Sequence, residues 1–578
     1  MVVERSNDSC ATLLVWDHAV PPPEGSWTPV LWREYASVRS AFAYSIPQRV
    51  EERAGTLRAR YLAWIYDLGE TRSDGVRLLD QLTLRPGFSY WWMTLPAAVS
   101  FGGSTSVYKA VRMLALEELA TELSARKIVL ASGDEALARA ISSWCRNAGL
   151  AFERQPLKVA AERLSVARRI YQSLPYPIQA AAFLLRYLIQ RWPLKQARNT
   201  QGSVFGGKIT FVDYLIHLDH RDLPAGRYGS RYWTDLIGAL QADGVKVNWL
   251  HHYLSHEAVP TAQQARDLLA RFNQNAGGTQ FHSTLDSALG WAVVMRAIRD
   301  YGRISLAALR LRKVRDHFRP ANSSVDLWPF FAQDWRSSMF GAAGMANCFF
   351  LNLFEQTLKR LPRQELGVYL LENQPWEMAF VHAWQAAGHG RLIGAPHSTV
   401  LYWDLRYFFD PRSYRRGGAN VLPMPEHVAL NGPAVLDRFR EGGFPEERIV
   451  AVEALRYLFL HDLKPTRKSA QAASSRPLRV LILGDYFPAI TRQQMQWVSE
   501  AAAALSPDTR YVVKPHPSCP VMARDYPALK MQITNAPLVE LLSDCDVAYT
   551  SNLTSAAVDA YCAGVRVVSA LDGGAFNM

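Results

Sequence analysis

Between Glu426 and Ser569 the chain repeats one pattern: a short apolar run, a polar turn, then apolar residues at helical spacing. Runs at Val428–Leu430, Val480–Leu483, Tyr511–Val513, Val547–Thr550 and Val565–Ser569 read as strands, and 491–505, 537–543 and 555–563 read as helices. Strand and helix in strict alternation imply a parallel sheet. In an open sheet of that kind ligands bind outside the carboxyl ends of the strands. Three such ends carry groups suited to a phosphate: Gly484-Asp485, Lys514-Pro515-His516-Pro517, and Ser551-Asn552-Leu553-Thr554-Ser555.

The same alternation extends upstream less regularly. Ala11–Trp16 and Lys127–Ala131 predict strands, and Glu135–Ala148 an amphipathic helix. Residues 160–198 are helical in pattern but broken by Pro175, Pro177 and Pro193, followed by a loop at Gln201-Gly202-Ser203 and Gly206-Gly207. Strands follow at Ile209–Val212, Val245–Leu250, Gly367–Leu371 and Arg391–Ala395, with helices at Tyr232–Ala242 and Pro375–Ala387 and a helical stretch over 260–360. Val428–Leu430 ends in Asn431-Gly432, and Pro433 opens a helix as a first-turn proline should. Lys464–Pro477 reads as an exposed loop. The resulting domains are 1–158 (an α/β unit), 159–204 (a helical connector), 205–424 and 425–578 (two Rossmann-like domains).

Bulk properties narrow the function. A length of 578 residues calls for several domains. The net charge of +12 favours an anionic partner, yet no block of like charge and no nucleic-acid module is present, so nucleic acid is not expected. Six scattered cysteines argue against a disulfide framework or a zinc ribbon. Met1–Ser9 is polar, unlike a signal peptide, and Arg186, Gln190 and Arg191 interrupt the only candidate span, Pro177–Leu194. These features lead to the expectation of a cytoplasmic protein able to rest on the inner face of the membrane. Neither a Gly-x-Gly-x-x-Gly fingerprint nor a Walker loop occurs, so neither NAD nor ATP is indicated.

At the last domain's sheet edge, the Ser551, Thr554 and Ser555 hydroxyls and a helix N-terminus offer donors, while Lys514 and His516 add positive or switchable charge. Such a set neutralises a phosphate without a metal. The competing account is local: Ser551 and Thr554 cap the helix, and Pro515 and Pro517 stiffen a turn. Asp544-Cys545-Asp546 matches an Asp-x-Asp metal signature but precedes its strand, at the wrong end of the sheet. His252 and His256, beside His251, have a metal-like spacing without a third ligand. No metal or other cofactor is expected.

The order Asn431-Gly432, Gly484, Lys514-Pro515-His516-Pro517 and Ser551–Ser555 with Ala563-Gly564 resembles the donor domain of GT-B glycosyltransferases. It is most similar to bacterial capsule and surface-carbohydrate transferases with a His-Pro motif, including sialyl-, polysialyl- and Kdo-type enzymes. Tyr90-Trp91-Trp92-Met93-Thr94, Arg231-Tyr232-Trp233, Leu371–Glu377 and Pro396-His397-Ser398 extend the likeness to the bacterial surface carbohydrate biosynthesis group. The resemblance implies a GT-B-like α/β fold, with two Rossmann-like domains facing a cleft beside the N-terminal unit. It implies a metal-independent glycosyltransferase that moves a nonulosonic acid or Kdo from its CMP-activated donor to a lipid-linked surface glycan such as O-antigen or capsule. His516 would contact the CMP phosphate and Ser551, Thr554 and Ser555 would bind phosphate, with Lys514, Asn552, Gly484, Asp485, Asn431 and Gly432 completing the nucleotide site. The sequence stops at Met578, soon after Asp572-Gly573-Gly574, where such domains continue; the expectation is a donor domain truncated or lacking its last elements.

A second set of strand ends lies in the middle domain: Glu372-Asn373-Gln374 after Gly367–Leu371, and His397-Ser398-Thr399 after Arg391–Ala395. Glycosyl transfer needs a base for the acceptor proton or charge stabilisation of an oxocarbenium-like transition state. Glu372, His397 and Glu377 are the candidates, Glu372 preferred because Glu377 lies in the first turns of a helix, where a carboxylate is at home. Arg227, Arg231, Arg406, Arg415 and Arg416 can pair with a sugar carboxylate, and Tyr90-Trp91-Trp92 can stack on sugar or simply fill a core. The alternatives are a UDP-sugar transferase or epimerase, and a non-catalytic polysaccharide assembly protein.

Overall fold

The computed structural model describes residues 12–18, 20–36, 42–100, 104–157, 166–195, 205–219, 221–397, 399–415, 417–461, 477–571 and 576. The chain divides into two compact units, Met1–Leu455 and Arg456–Met578. The first contains two parallel sheets. Its amino-terminal sheet is built from β1 (Thr12–Trp16), β2 (Thr28–Leu31) and β3 (Tyr44–Ser45). Two small hairpins follow, β4 (Arg72–Ser73) with β5 (Val76–Arg77) and β6 (Thr83–Arg85) with β7 (Phe88–Ser89), before β8 (Lys127–Ala131) and β9 (Ala151–Gln155) complete the sheet in the order β3-β2-β1-β8-β9.

The second sheet comprises β10 (Ile209–Tyr214), β11 (Val247–His252), β12 (Gln280–Thr284), β13 (Leu366–Leu370), β14 (Arg391–Ala395), β15 (His427–Asn431) and β16 (Ile449–Val452), in the order β12-β11-β10-β13-β14-β15-β16. In the second unit β17 (Arg479–Leu483), β18 (Arg510–Lys514), β19 (Met531–Ile533), β20 (Val547–Ser551) and β21 (Arg566–Ala570) are ordered β19-β18-β17-β20-β21. In every sheet the first strand is central and the chain winds outward to both sides. This doubly wound order has a switch point between β1 and β8, β10 and β13, and β17 and β20, where crossovers diverge and ligands bind. The α/β class with Rossmann-like parallel sheets expected from the sequence is the class observed.

The inner strands of the last sheet, β17, β18 and β20, feed two apolar layers, as a sheet packed on both faces requires. Val480, Ile482, Tyr511 and Val513 face the helix Pro488–Ala501 through Met495 and Val498, while Leu481, Leu483 and Ala548 pack with Leu542 and Ala560. In the middle sheet Phe211 and Trp249 stack at 4.7 Å within a core that includes Trp233 and Phe272.

Three expectations are corrected. β15 and β16 extend the middle sheet, joined by the pairing of His427 with Ile393 and Val428 with Gly394. Asn431 and Gly432 therefore belong to the first unit, and the division falls at Leu455 rather than at 424. Alternation announces a parallel strand but not the sheet it joins. Residues 1–158 are not a separate unit, because the helices Trp328–Phe340 and Ala342–Arg360 pack in the same body. Within the supposed helical stretch 260–360, β12 adds an edge strand, which its polar sequence Gln-Phe-His-Ser-Thr conceals. Gln201-Gly202-Ser203, Asp572-Gly573-Gly574, Arg416, Ser398 and most of Lys464–Pro477 lie outside the described residues.

Tyr90, Trp91 and Trp92 form a buried 3-10 turn whose polar atoms are spent internally, the Tyr90 hydroxyl on Ser338 O and Trp92 Nε1 on Asn420 O. They are core, not a sugar platform. Nearby, Arg85 ties the β6–β7 hairpin to two helices, donating to Glu355 and Asp300 at 2.6 Å each. Asp300 has no solvent access, so losing its cation strands a buried charge. Arg85→Met is expected to lower the stability of the first unit by about 3 kcal/mol, read as a fall in its urea midpoint.

Candidate active site

In the first unit, three adjacent strand ends converge at the β10/β13 switch point. The turn Leu215–His217 follows β10, Glu372 follows β13 and His397 follows β14. The structure brings Glu372 and His397 together, Glu372 Oε1 lying 3.5 Å from His397 Nε2. Arg406 Nη1 approaches the other Glu372 oxygen at 3.8 Å and is itself forked onto Asp404 at 2.8 and 2.7 Å. The Tyr232 ring packs edge-on against both His397 and His217 at 4.5 and 4.3 Å. His397 is thus a largely shielded imidazole beside a carboxylate, an arrangement that can take a proton from a hydroxyl while the neighbouring acid offsets the charge gained.

Behind His217 lies Asp213, the penultimate residue of β10 and 1% exposed. Its Oδ2 accepts from the Tyr228 hydroxyl at 2.7 Å and from Trp233 Nε1 at 3.1 Å, and His217 Nδ1 stands 3.6 Å from Oδ1. Burial alone would push this carboxyl up, but His217, His251 and the Tyr228 hydroxyl outweigh it and hold it below its usual range. His251 and His282 stack in parallel and share a proton between nitrogens 3.1 Å apart, with Gln280 Oε1 3.0 Å beyond. Burial brings His251 down to about 4 and His252 to about 3, so both rings are neutral. Asp213 and His217 escaped the sequence reading; the signal was an acid inside the run Ile-Thr-Phe-Val-Asp-Tyr.

Glu377 has a different place. It is buried in the first turn of the helix Pro375–Ala386, where its carboxyl accepts the backbone N–H groups of Glu372, Asn373 and Gln374. Asn373 adopts a left-handed φ of 52° to complete this wrap, and its side chain donates to Arg406 O. Glu377 therefore shapes the loop that presents Glu372. Of the other arginines, Arg227 pairs with Asp222 at 3.6 Å, Arg231 donates to Ile216 O and Arg415 is exposed.

In the second unit the β17/β20 switch point is closed by a buried side-chain bond from Ser551 to Asp485. Asp485 also accepts Phe487 N at 2.8 Å, and Gln494 donates to Leu483 O and Tyr549 O across the gap. Ser551 thus spends its proton inward, and Asn552 is buried with its amide on Phe576 O. Lys514 turns to the carbonyls of Asn535 and Ala536. These three residues brace the edge. Gly484 lets the Lys-Pro-His-Pro turn cross: a Cβ there would meet His516 N at 3.0 Å and Pro515 Cα at 3.2 Å.

Outward-facing groups remain. Ser518 N donates to His516 Nδ1, so the neutral ring carries its proton on Nε2; burial lowers the pKa of His516, against the pull of Asp485. Thr554 and Ser555 are half-buried, and Ser555 Oγ accepts from Arg456 at 3.0 Å. Arg456, which the sequence reading missed, supplies a cation at this edge. The helix that follows, Ala556–Cys562, is only seven residues long, and Thr554 Oγ1 accepts its first N–H. Asp544 and Asp546 bind Arg479 at the amino end of β17. Among the described residues, no group of three or more His, Cys, Asp or Glu is placed to hold a metal ion.

No model of a known protein family matches the chain, and no curated protein matches it. Solved structures that resemble it include Anabaena HepE in complex with UDP and glucose, with 13% identity, 64% of this chain and 82% of that chain covered, and a TM-score of 0.33. MurG of Acinetobacter baumannii gives 11% identity, 63% and 86% coverage and a TM-score of 0.28. The glycosyltransferase SnogD from Streptomyces nogalater gives 16% identity, 63% and 83% coverage and a TM-score of 0.30. The strand order described above, not these superpositions, defines the fold.

Burial, with the nearby Glu372 charge, pushes Glu377 up to about 8 against the pull of its backbone donors. The folded chain then keeps a proton that the unfolded chain, with an ordinary carboxyl near 4.5, has released. Between those two values the native state binds more protons, so raising the pH favours unfolding. Urea midpoints measured across this window are expected to fall with pH, and Glu377→Gln should flatten that slope.

Proposed function

We propose that the protein is a GT-B glycosyltransferase that uses a CMP-activated acidic keto sugar, a nonulosonic acid or Kdo, as donor and a surface glycan as acceptor. The observation that carries this reading is the donor set at the second unit's switch point: neutral His516, the Thr554 and Ser555 hydroxyls, and one guanidinium from Arg456. Among the described residues Arg456 is the cation bonded within this neutral set, Lys514 being turned to the carbonyls of Asn535 and Ala536; such a set suits a single phosphate better than a diphosphate, which favours a CMP-sugar over a UDP-sugar. The Glu372–His397 pair of the first unit suits the acceptor.

In the proposed reaction the acceptor oxygen forms a bond to the anomeric carbon as the bond from that carbon to the CMP phosphate oxygen breaks. The acceptor proton passes to a base, and the electron pair leaves with the phosphate, where His516, Thr554, Ser555 and Arg456 of the second unit offset its charge. Glu372 and His397 of the first unit are the candidates for a proton-accepting base. No metal is required by this scheme.

A donor panel tests the reading. CMP-sugars are expected to be turned over, with slow CMP release even without acceptor. His516→Ala and Glu372→Gln should each lower kcat/KM by about a hundredfold or more with circular dichroism unchanged. Binding of UDP alone overturns the CMP assignment; wild-type turnover in both variants overturns the site; and CMP-sugar binding without any turnover points to a non-catalytic assembly protein.

A further inference from the structure

The helix Val166–Ser173 has no buried residue at all, although Val166 is 62% and Ile170 58% exposed. The next helix, Tyr176–Arg191, buries Ala180 and Leu184 on one side, yet its opposite side is also apolar. Ile178, Ala181, Leu185 and Ile189 recur there at helical spacing, with Leu185 and Ile189 61% and 68% exposed. A helix that faces water normally turns polar residues outward.

A third helix repeats the pattern. Trp291–Arg310 buries Val293, Val294, Ala297, Ile304 and Ala308. Its outer side carries Trp291, Met295, Ile298, Leu306 and Leu309, with Trp291 66% exposed. Both long helices pack on the helix Ala342–Arg360, and Trp192 meets Trp291 at 5.4 Å, which links the two apolar stripes within the first unit.

The charge carried by the stripe helices themselves is mostly positive. Residues 166–195 contain Arg168, Arg169, Arg186 and Lys195 and no acid, with a further arginine, Arg191, turned inward to pair with Asp286. On the third helix Arg299, Arg303 and Arg310 are exposed, and the only acid, Asp300, is buried under Arg85. A second copy of this face would bring the same positive charge and be repelled. An anionic bilayer offers the complementary partner: hydrocarbon for the stripes and acidic headgroups for the arginines. Among the described residues no helix is long and apolar enough to cross a membrane, so the fitting geometry is a helix lying in the interface.

We infer that the apolar, arginine-flanked face formed by Val166–Arg191 and Trp291–Arg310 is a docking surface for an anionic phospholipid bilayer. This placement stands independently of the transferase reading. Vesicle flotation of the full chain tests it, comparing pure phosphatidylcholine with phosphatidylcholine containing phosphatidylglycerol. The protein is expected to float only with the anionic vesicles and to be released by high salt. Leu185→Glu with Ile189→Glu, or Trp291→Glu with Met295→Glu, should weaken the partition by about tenfold or more with unchanged thermal unfolding. Hydrogen exchange should slow in 166–191 and 291–310 when vesicles are added. Three results overturn the inference: no flotation with anionic vesicles, equal partition of variants and wild type, or slowed exchange elsewhere only. A concentration-dependent dimer abolished by the same substitutions, without flotation, would assign the face to self-association instead.

Discussion

A buried carboxylate stands at the carboxyl end of the central strand in each of the three sheets: Asp17 after β1, Asp213 in β10 and Asp485 after β17. At a switch point the two crossovers part and leave backbone and side-chain donors facing a gap. An acid fills that gap, but an ion removed from water is tolerated only when its lone pairs are met. Asp17 is met by Arg33 and the Ser132 hydroxyl, Asp213 by Tyr228, Trp233 and His217, and Asp485 by Phe487 N and the Ser551 hydroxyl. In the first and last sheets the same device recurs, a serine from the fourth strand reaching back to the acid of the first. These bonds set where the strand-end loops leave, and the candidate site residues ride on those loops.

The two candidate sites follow from that bracing. In the second unit, Asp485 absorbs Ser551, so the donors left to face a ligand come from one step further along, at Thr554 and Ser555, and from the neighbouring turn, at His516. In the first unit, Glu377 gathers three backbone N–H groups and thereby holds Glu372 near His397 and Arg406. Buried and half-buried residues alternate here: the fully buried partner braces the loop, and the half-buried candidate remains accessible.

Much of this was legible in the chain. Val480–Leu483, Tyr511–Val513 and Val547–Thr550 match β17, β18 and β20 to within a residue, because strands buried on both faces read as unbroken apolar runs. The polar residues ending those runs are at carboxyl edges for the same reason. β12 was not legible, since an edge strand need not be apolar on both faces, whereas β16, Ile-Val-Ala-Val, is a short apolar run that the sequence reading passed over. The inward turn of Ser551, Asn552 and Lys514 was also hidden: a hydroxyl or ammonium that braces a loop has the same letter as one that grips a phosphate. Arg456 gave no signal because its partner, Ser555, is 99 positions away.

The sequence by itself determined the period of the elements, their parallel pairing and the edge at which chemistry collects, all consequences of local apolar spacing and of the one-handed crossover. Only the tertiary structure decided which sheet β15 and β16 join, which strand-end side chains point inward, and that Asp213, His217 and Arg456 stand beside the candidate residues. Those outcomes depend on contacts between residues far apart in the chain, where the energy of satisfying a buried polar group outweighs any local preference.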